Sequence, residues 1–227
     1  MNQVTLKKNC NDYEGIIFDL DGTLLNTEEG VLSSVRYATE QMGYSPLTDE
    51  VLKNTFIGPP VKRALMAAYH ISDQEADKAT ELFRNRYKNY DLLKAIPYEG
   101  VISLIHDLKK RGFKIGVATL KREDYAITIL EHFHIAEYCD AICGSDFASK
   151  MLKADVLRNC LNQLTLSPKE AVLIGDTASD GTGANAVGVD LIAVTYGFGF
   201  HTEEERNRFS PVFTAHTVEE LRSFLYI

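Results

Sequence analysis

Two rhythms of apolar and polar residues alternate along this chain. Near its start, Ile16-Ile17-Phe18 is a short apolar run ending in two carboxylates, Asp19 and Asp21, followed by Gly22 and Thr23. An apolar run closed by a turn signal predicts a buried strand of a parallel sheet. From Thr27 to Leu93 the spacing is helical and predicts no strand. Val31, Val35, Ala38 and Met42 share a helix face up to Gly43, Leu47–Phe56 predicts a short helix, and Gly58-Pro59-Pro60 is a rigid break. Val61, Leu65, Ala68 and Tyr69 resume the helical spacing. Asp73–Leu93 predicts one long charged helix with Ala76, Ala79, Leu82, Phe83, Arg86, Tyr87 and Tyr90 along one side, the two tyrosines as packing residues.

From Pro97 strands and helices alternate. Helices are predicted over Val101–Leu108, stopped by Gly112, and over Tyr125–Phe133, Leu152–Leu164, Ala178–Val187 and Thr217–Leu225. Strands are predicted over Lys114–Thr119, Ala141–Cys143, Ala171–Gly175 and Leu191–Val194. Alternation of this kind implies a parallel sheet with helices on both faces. The fold class is therefore α/β: a three-layer, Rossmann-like parallel-sheet core, residues 1–26 and 96–227, with a helical domain, residues 27–95, inserted after its first unit.

Composition narrows the function. The chain has 227 residues, 45% hydrophobic and 25% charged, enough apolar material for a sizeable core. A formal net charge of −8 argues against a nucleic-acid surface, which needs a basic stripe. Met1–Asp12 is polar without the apolar centre of a signal peptide, and no apolar run approaches a membrane span. Cys10, Cys139, Cys143 and Cys160 form no CxxC pair and are expected to be reduced thiols, with core packing for Cys139 and Cys143. The expected location is the cytoplasm. Nothing in the sequence sets an oligomeric state.

Ligands of open parallel sheets bind outside the carboxyl ends of the strands. Those ends carry Asp19 and Asp21, then Thr119, then Asp176 with Asp180 four residues on; Lys153 lies near the start of the helix after the third strand. Singly each is ordinary. Asp19 and Asp21 suit a surface turn, Asp176 and Asp180 a helix cap and first-turn acid, and Lys153 a solvated lysine with Lys150 as its rival. Together they place crowded hard-oxygen donors beside a hydroxyl and an ammonium. Such carboxylates suit Mg²⁺, and the residual positive field suits a phosphoryl group. An Asp carboxylate can then act as the nucleophile.

Other candidates weigh less. Gly181-Thr-Gly-Ala-Asn-Ala186 fits GxGxxA, but Asp176 to Asp180 lie between it and the strand and would repel a pyrophosphate; helix–sheet packing is the better role. His132 and His134 lack a third metal ligand and read as a helix-end pair. His201 lies in the loop after the last predicted strand, facing either substrate or water.

Asp19-Leu-Asp-Gly-Thr-Leu24, Thr119, Lys153 and Gly175-Asp176 with Asp180 resemble, in order, the four motifs of the haloacid dehalogenase-like superfamily. The Val194-Thr-Tyr-Gly-Phe-Gly199 loop extends that likeness over nearly the whole chain. The helical insertion resembles the family's cap of the first type, and Ile57-Gly-Pro-Pro60 resembles the phosphoglycolate phosphatase-like branch, which includes some 5′-nucleotidases. The resemblance implies a phosphatase acting on a small phosphorylated metabolite. In it Asp19 is the nucleophile, and Asp21 is the general acid and then the base. Thr119, Lys153 and a backbone group at Leu120 hold phosphoryl oxygens. Asp19, the Asp21 carbonyl and Asp176 ligate Mg²⁺, with Asp180 a ligand or just behind one. The family's dehalogenases lack the second Asp of the first motif, so Asp21 favours phosphate esters. Two departures stand out. Asn26 occupies a position where Asp is frequent, and Leu120 one where a small polar residue is frequent. The insertion is expected to close as a lid and to bring Lys62 or Arg63 to an anionic substrate.

Overall fold

The computed structural model describes residues 12–146 and 150–226; Cys10 lies outside them. The chain divides into two compact units, Met1–Leu25 with Pro97–Ile227, and Asn26–Ile96. It passes between them at β2 (Leu25–Asn26) and β3 (Ile96–Pro97), which pair as a two-stranded sheet.

The larger unit is built on a six-stranded sheet. Its strands are β1 (Gly15–Phe18), β4 (Lys114–Arg122), β5 (Ala141–Ser145), β6 (Ala171–Gly175), β7 (Asp190–Val194) and β8 (Phe213–Ala215), in the spatial order β5-β4-β1-β6-β7-β8. Every pairing is parallel. β1 is central, with Ile16 opposite Ile115 on one side and Val172 on the other, so its four residues are all buried. That burial explains a run with no polar alternation. Along β1 successive side chains point to opposite faces. Ile17 joins Leu173 and Leu191 in a cluster with Val156, Leu157, Cys160 and Leu161 of α7 (Lys153–Leu164), which also takes in Ala184 of α8 (Ala178–Val187). Leu104, Ile105 and Leu108 of α5 (Val101–Lys110) are fully buried, each worth about 1.5–3 kcal/mol when removed from water. Leu221 and Leu225 anchor α10 (Val218–Tyr226) in the same way. Cys143 and Cys160 are buried free thiols, while Cys139 is half-buried.

Four differences from the sequence expectation concern polar or short segments. β4 runs three residues past Thr119, to Arg122, and β5 runs on to Ser145. β8 and the short α9 (Glu203–Asn207) were not expected. Three residues are too few to display a period, and α9 rests on a capping box: Thr202 Oγ1 accepts from Glu205 N, and Glu205 Oε2 accepts from Thr202 N.

The smaller unit comprises α1 (Glu28–Gln41), α2 (Asp49–Phe56), α3 (Val61–Tyr69) and α4 (Asp73–Arg86). Leu32, Val35, Leu52, Phe56, Leu65 and Ala79 form its core. Thr48 and Ser72 cap α2 and α4, the latter in a reciprocal box with Glu75. Instead of one helix to Leu93, α4 gives way at Tyr87 to a single π turn, Tyr87–Asp91, closed by Leu92 N donating to Tyr87 O at 2.7 Å. The wide turn carries Asp91, fully buried, onto Ser34 Oγ and Arg86 Nε, each 2.9 Å from Oδ2, while Lys94 Nζ lies 2.9 Å from Oδ1. These partners outweigh the effect of burial and hold the Asp91 carboxyl below its ordinary range. Tyr87 is buried and stacked on Phe83, as expected of a packing residue. Tyr90 is not one: it is 69% exposed, with the Arg86 guanidinium over its ring. The widened turn alters the spacing on which a straight helix would have placed both rings.

Candidate active site

The chain leaves β1 at Asp19, whose N–H still donates to Ile174 O, and then turns tightly around Leu20. Leu20 is fully buried, and its carbonyl accepts from the N–H groups of Thr23, Leu24 and Leu25. Gly22 has φ +84°, and a Cβ there would lie 2.2 Å from Asp176 Oδ2. The turn needs glycine on both counts. Thr23 Oγ1 donates to Asp176 Oδ1 at 3.2 Å, tying the first loop to the end of β6.

Asp176 is fully buried; Phe198 N, at 2.7 Å, and Gly199 N, at 3.4 Å, both donate to its Oδ2. The Tyr-Gly-Phe-Gly loop therefore holds this carboxylate with backbone amides. Thr177, not Asp176, is the N-cap of α8, and Asp180 is its first-turn acid: Thr177 N and Thr177 Oγ1 donate to Asp180 Oδ2 at 3.0 and 2.7 Å. Its other oxygen lies 2.7 Å from Lys153 Nζ. The same ammonium lies 2.6 Å from Asp19 Oδ1, and the Lys153 side chain is 3% exposed. Lys150 is exposed. The stem of Lys153 passes over Gly183, where a Cβ would lie 2.7 Å from Lys153 Cγ, and a Cβ on Gly181 would lie 2.2 Å from the Phe209 ring. These glycines clear space for a lysine stem and an aromatic ring, not for the sheet as expected.

Among the described residues, Asp19, Asp176 and Asp180 bring carboxylate oxygens within 4.8 Å of one another. Burial raises the Asp19 carboxyl to about 7, opposed by Lys153 and assisted by Asp180. Burial, then Asp180 and Asp19, raise Asp176 to about 8. Burial pulls the Lys153 ammonium down, but Asp180 and Asp19 outweigh it and hold the group above the ordinary lysine range. Three buried carboxylates around one ammonium leave excess negative charge, and all the donors are hard oxygens. This set fits a Mg²⁺ ion.

That crowding has a measurable consequence. Carboxyls raised above their unfolded values bind protons preferentially in the native state, so their stabilising contribution is complete below about pH 4 and is lost as pH rises through about 7 to 8. Metal-free protein should therefore lose thermal stability between pH 5.5 and 8.5, and added Mg²⁺ should raise Tm more at pH 8.5. Scanning fluorimetry checks both, with Asp176→Asn expected to flatten the trend. A metal-free Tm that climbs over this window in the wild type but not in the variant would reverse the assignment.

Asp21 stands apart from the acidic cluster. Its carboxylate is half-buried, and Oδ1 lies 3.0 Å from Lys121 Nζ. Thr119 is buried, and its Oγ1 accepts from Lys121 N at 3.1 Å. Lys121 was missed from sequence because the strand was ended at Thr119. β4 continues to Arg122 through a break in its register with β5 between Ala118 and Arg122, and Leu120 is 42% exposed. Asn26 Oδ1 accepts from Glu28 N and so shapes the start of α1. In the smaller unit, Lys62 Nζ lies 2.8 Å from Asp73 and 2.6 Å from Asp77, bracing α3 against α4, while Arg63 is exposed. His201 is exposed; His132 closes α6 (Glu123–His132), and His134 follows with φ 56°.

Residues 16–194 match the model of the haloacid dehalogenase-like hydrolase family. The chain belongs to that family. It is 34% identical over 211 residues to "Tyrosine-protein kinase PtkA" of Mycobacterium tuberculosis, covering 92% of this chain and 72% of that protein. It is 32% identical over 214 residues to a 5′-nucleotidase of Pseudomonas aeruginosa, covering 94% and 96%. The solved structure of a predicted phosphatase from Clostridium acetobutylicum superposes with a TM-score of 0.83 at 34% identity, covering 93% of this chain and 97% of that one. This family membership and the six-stranded parallel sheet agree with the α/β reading. No helix among the described residues is long and apolar enough to cross a membrane.

Proposed function

We propose that this hydrolase is a Mg²⁺-dependent phosphomonoesterase that acts on a small phosphorylated metabolite through a phosphoryl group carried on Asp19. One observation carries the reading: a buried ammonium, Lys153, lies 2.6 Å from the Asp19 carboxylate with Asp176 and Asp180 beside it. This is a carboxylate nucleophile with its electrostatic partner already in place.

Asp19 attacks phosphorus, an O–P bond forms, and the ester P–O bond breaks with its electron pair passing to the leaving oxygen. Asp21 gives that oxygen a proton. In the second half Asp21 takes a proton from water as the water oxygen attacks phosphorus, and Asp19 is released with inorganic phosphate. Lys153 and the Thr119 hydroxyl hold phosphoryl oxygens. Asp19, Asp176 and the Asp21 carbonyl would hold Mg²⁺, which when bound supplies charge neutralisation for the phosphoryl group. Asp180 has one oxygen on Thr177 and the other on Lys153, which favours orienting the ammonium over ligating metal. The helical unit is the cap that selects substrate. Its anion contact is assigned to Arg63, since Lys62 already meets two carboxylates.

The test is phosphate release from 2-phosphoglycolate, 5′-mononucleotides, sugar phosphates and pyrophosphate, beside transfer from ATP to a tyrosine peptide. At least one monoester should turn over with Mg²⁺, slow by about 100-fold or more in EDTA, and recover when Mg²⁺ is restored. Hydrolysis indifferent to the chelator, or phosphoryl transfer only to the peptide, rejects the reading.

A further inference from the structure

Lys121 is a nearly buried cation at the carboxyl edge of the sheet to which the mechanism above assigns no task. Its side chain is 7% exposed and its ammonium lies 3.0 Å from Asp21 Oδ1. Its backbone N–H reaches Thr119 Oγ1 at 3.1 Å, so one residue touches both the proposed acid and a proposed phosphoryl-holding hydroxyl. Exposed ion pairs contribute little and move freely, but a desolvated ammonium is costly unless a counter-charge meets it. The neighbouring cation is disposed differently. Arg122 grips Asp124 through two hydrogen bonds of 3.0 and 2.7 Å, and Asp124 is 54% exposed. The polar extension of β4 thus sets one cation against Asp21 and the other against Asp124 and Tyr125.

We propose that Lys121 is a positioning residue for the reaction: its ion pair with Oδ1 sets the direction in which Asp21 presents a proton to the leaving oxygen. The inference rests on Asp21 being the general acid. In that step the Asp19–phosphorus bond forms, the ester bond breaks with its electron pair going to the leaving oxygen, and the proton passes from Asp21 to that oxygen. Lys121 keeps its own protons. A carboxyl group free about its two side-chain torsions is correctly aimed only part of the time; pinned at one oxygen, it is aimed continuously. The penalty for poor aim depends on the substrate. A departing alkoxide needs the proton, whereas a nitrophenolate leaves without it. A residue that instead bound the phosphoryl group would affect both alike.

The experiment compares kcat and KM of Lys121→Met, Lys121→Arg and Asp21→Asn with an alkyl phosphate and with 4-nitrophenyl phosphate, in the full-length protein with Mg²⁺. Asp21→Asn should lose far more activity on the alkyl ester. Lys121→Met should follow it, losing at least about 10-fold more on the alkyl ester than on the nitrophenyl ester, mainly in kcat, and Lys121→Arg should recover most of the difference. Because the readout is a ratio within one sample, partial unfolding cancels; Lys121→Gln serves if Lys121→Met does not accumulate. Equal losses on the two esters for Lys121→Met, with graded losses for Asp21→Asn, overturn the proposal alone. Equal losses for Asp21→Asn overturn the assignment of the acid, and the proposal with it.

Discussion

Asp19→Asn should abolish turnover, lowering kcat by about four orders of magnitude or more on every substrate, activated esters included. The uniformity matters as much as the size. A nucleophile is needed whatever group departs, whereas a proton donor is needed only for poor leaving groups, so this variant should show none of the substrate grading expected at Asp21 and Lys121. The fold should survive. Asn keeps the shape, and the substitution removes one of three crowded carboxylates whose ionised form burial already disfavours. Lys153 retains Asp180 at 2.7 Å. Metal-free Asp19→Asn at pH 8.5 should therefore melt no lower than the wild type. Acid-quenched wild-type enzyme should carry a phosphoryl group on the peptide containing Asp19, seen by mass spectrometry, and the variant should not. Wild-type-like turnover in Asp19→Asn would remove the covalent mechanism.

What the sequence revealed of this site depended on how each residue is displayed. Asp19 and Asp176 follow fully buried strands, Gly15–Phe18 and Ala171–Gly175, whose unbroken runs without a polar residue point to their own carboxyl ends. A sheet buried on both faces is legible for that reason, and the α/β class followed from it. β4 is different. Its last residues, Leu120-Lys121-Arg122, are polar or exposed, so no apolar signal marks the extension that brings Lys121 to Asp21. The two-residue spacing from Thr119 is no guide either, because the register with β5 breaks between Ala118 and Arg122. The Tyr-Gly-Phe-Gly loop was recognisable as a motif, but its task, two backbone amides on Asp176, depends on a fold that joins distant segments. The π turn at Tyr87 was invisible because buried Asp91, with Arg86, Lys94 and Ser34 around it, decides it, and both Arg86 and Asp91 lie within a stretch that reads as uninterrupted helix. Asp180 shows two readings holding together: as the first-turn acid of α8 it accepts from Thr177 N through one oxygen, and it meets Lys153 through the other.

Lys153→Met should damage stability and activity together, with a pH signature that separates the two. The side chain is 3% exposed and its ammonium serves Asp19 and Asp180 at 2.6 and 2.7 Å. Removing one partner of a buried charge cluster costs about 3–5 kcal/mol when the remaining charge cannot be relieved. Here relief is available. Asp19 is already raised to about 7, and without the ammonium that holds it down it should rise further, so a proton can replace the lost cation. The destabilisation should therefore be small at pH 6 and approach the full cost near pH 8.5, a steeper decline with rising pH than in the wild type. Methionine follows the lysine stem over Gly183, so the loss reports charge and not a cavity. At pH 6, where the variant is folded, kcat should still be lower by about 100- to 1,000-fold, the cost of losing one preorganised donor to the transferring group. Lys153→Arg should not rescue it, because a planar guanidinium is a poor substitute for a compact ammonium between two oxygens, and the space beside Gly183 is already tight. Thermal melts at pH 6 and 8.5, with rates at pH 6, read both effects. A variant whose melting temperature tracks the wild type across pH, or one that turns over normally at pH 6, would show that the buried ammonium is neither the counter-charge of Asp19 nor its partner in catalysis.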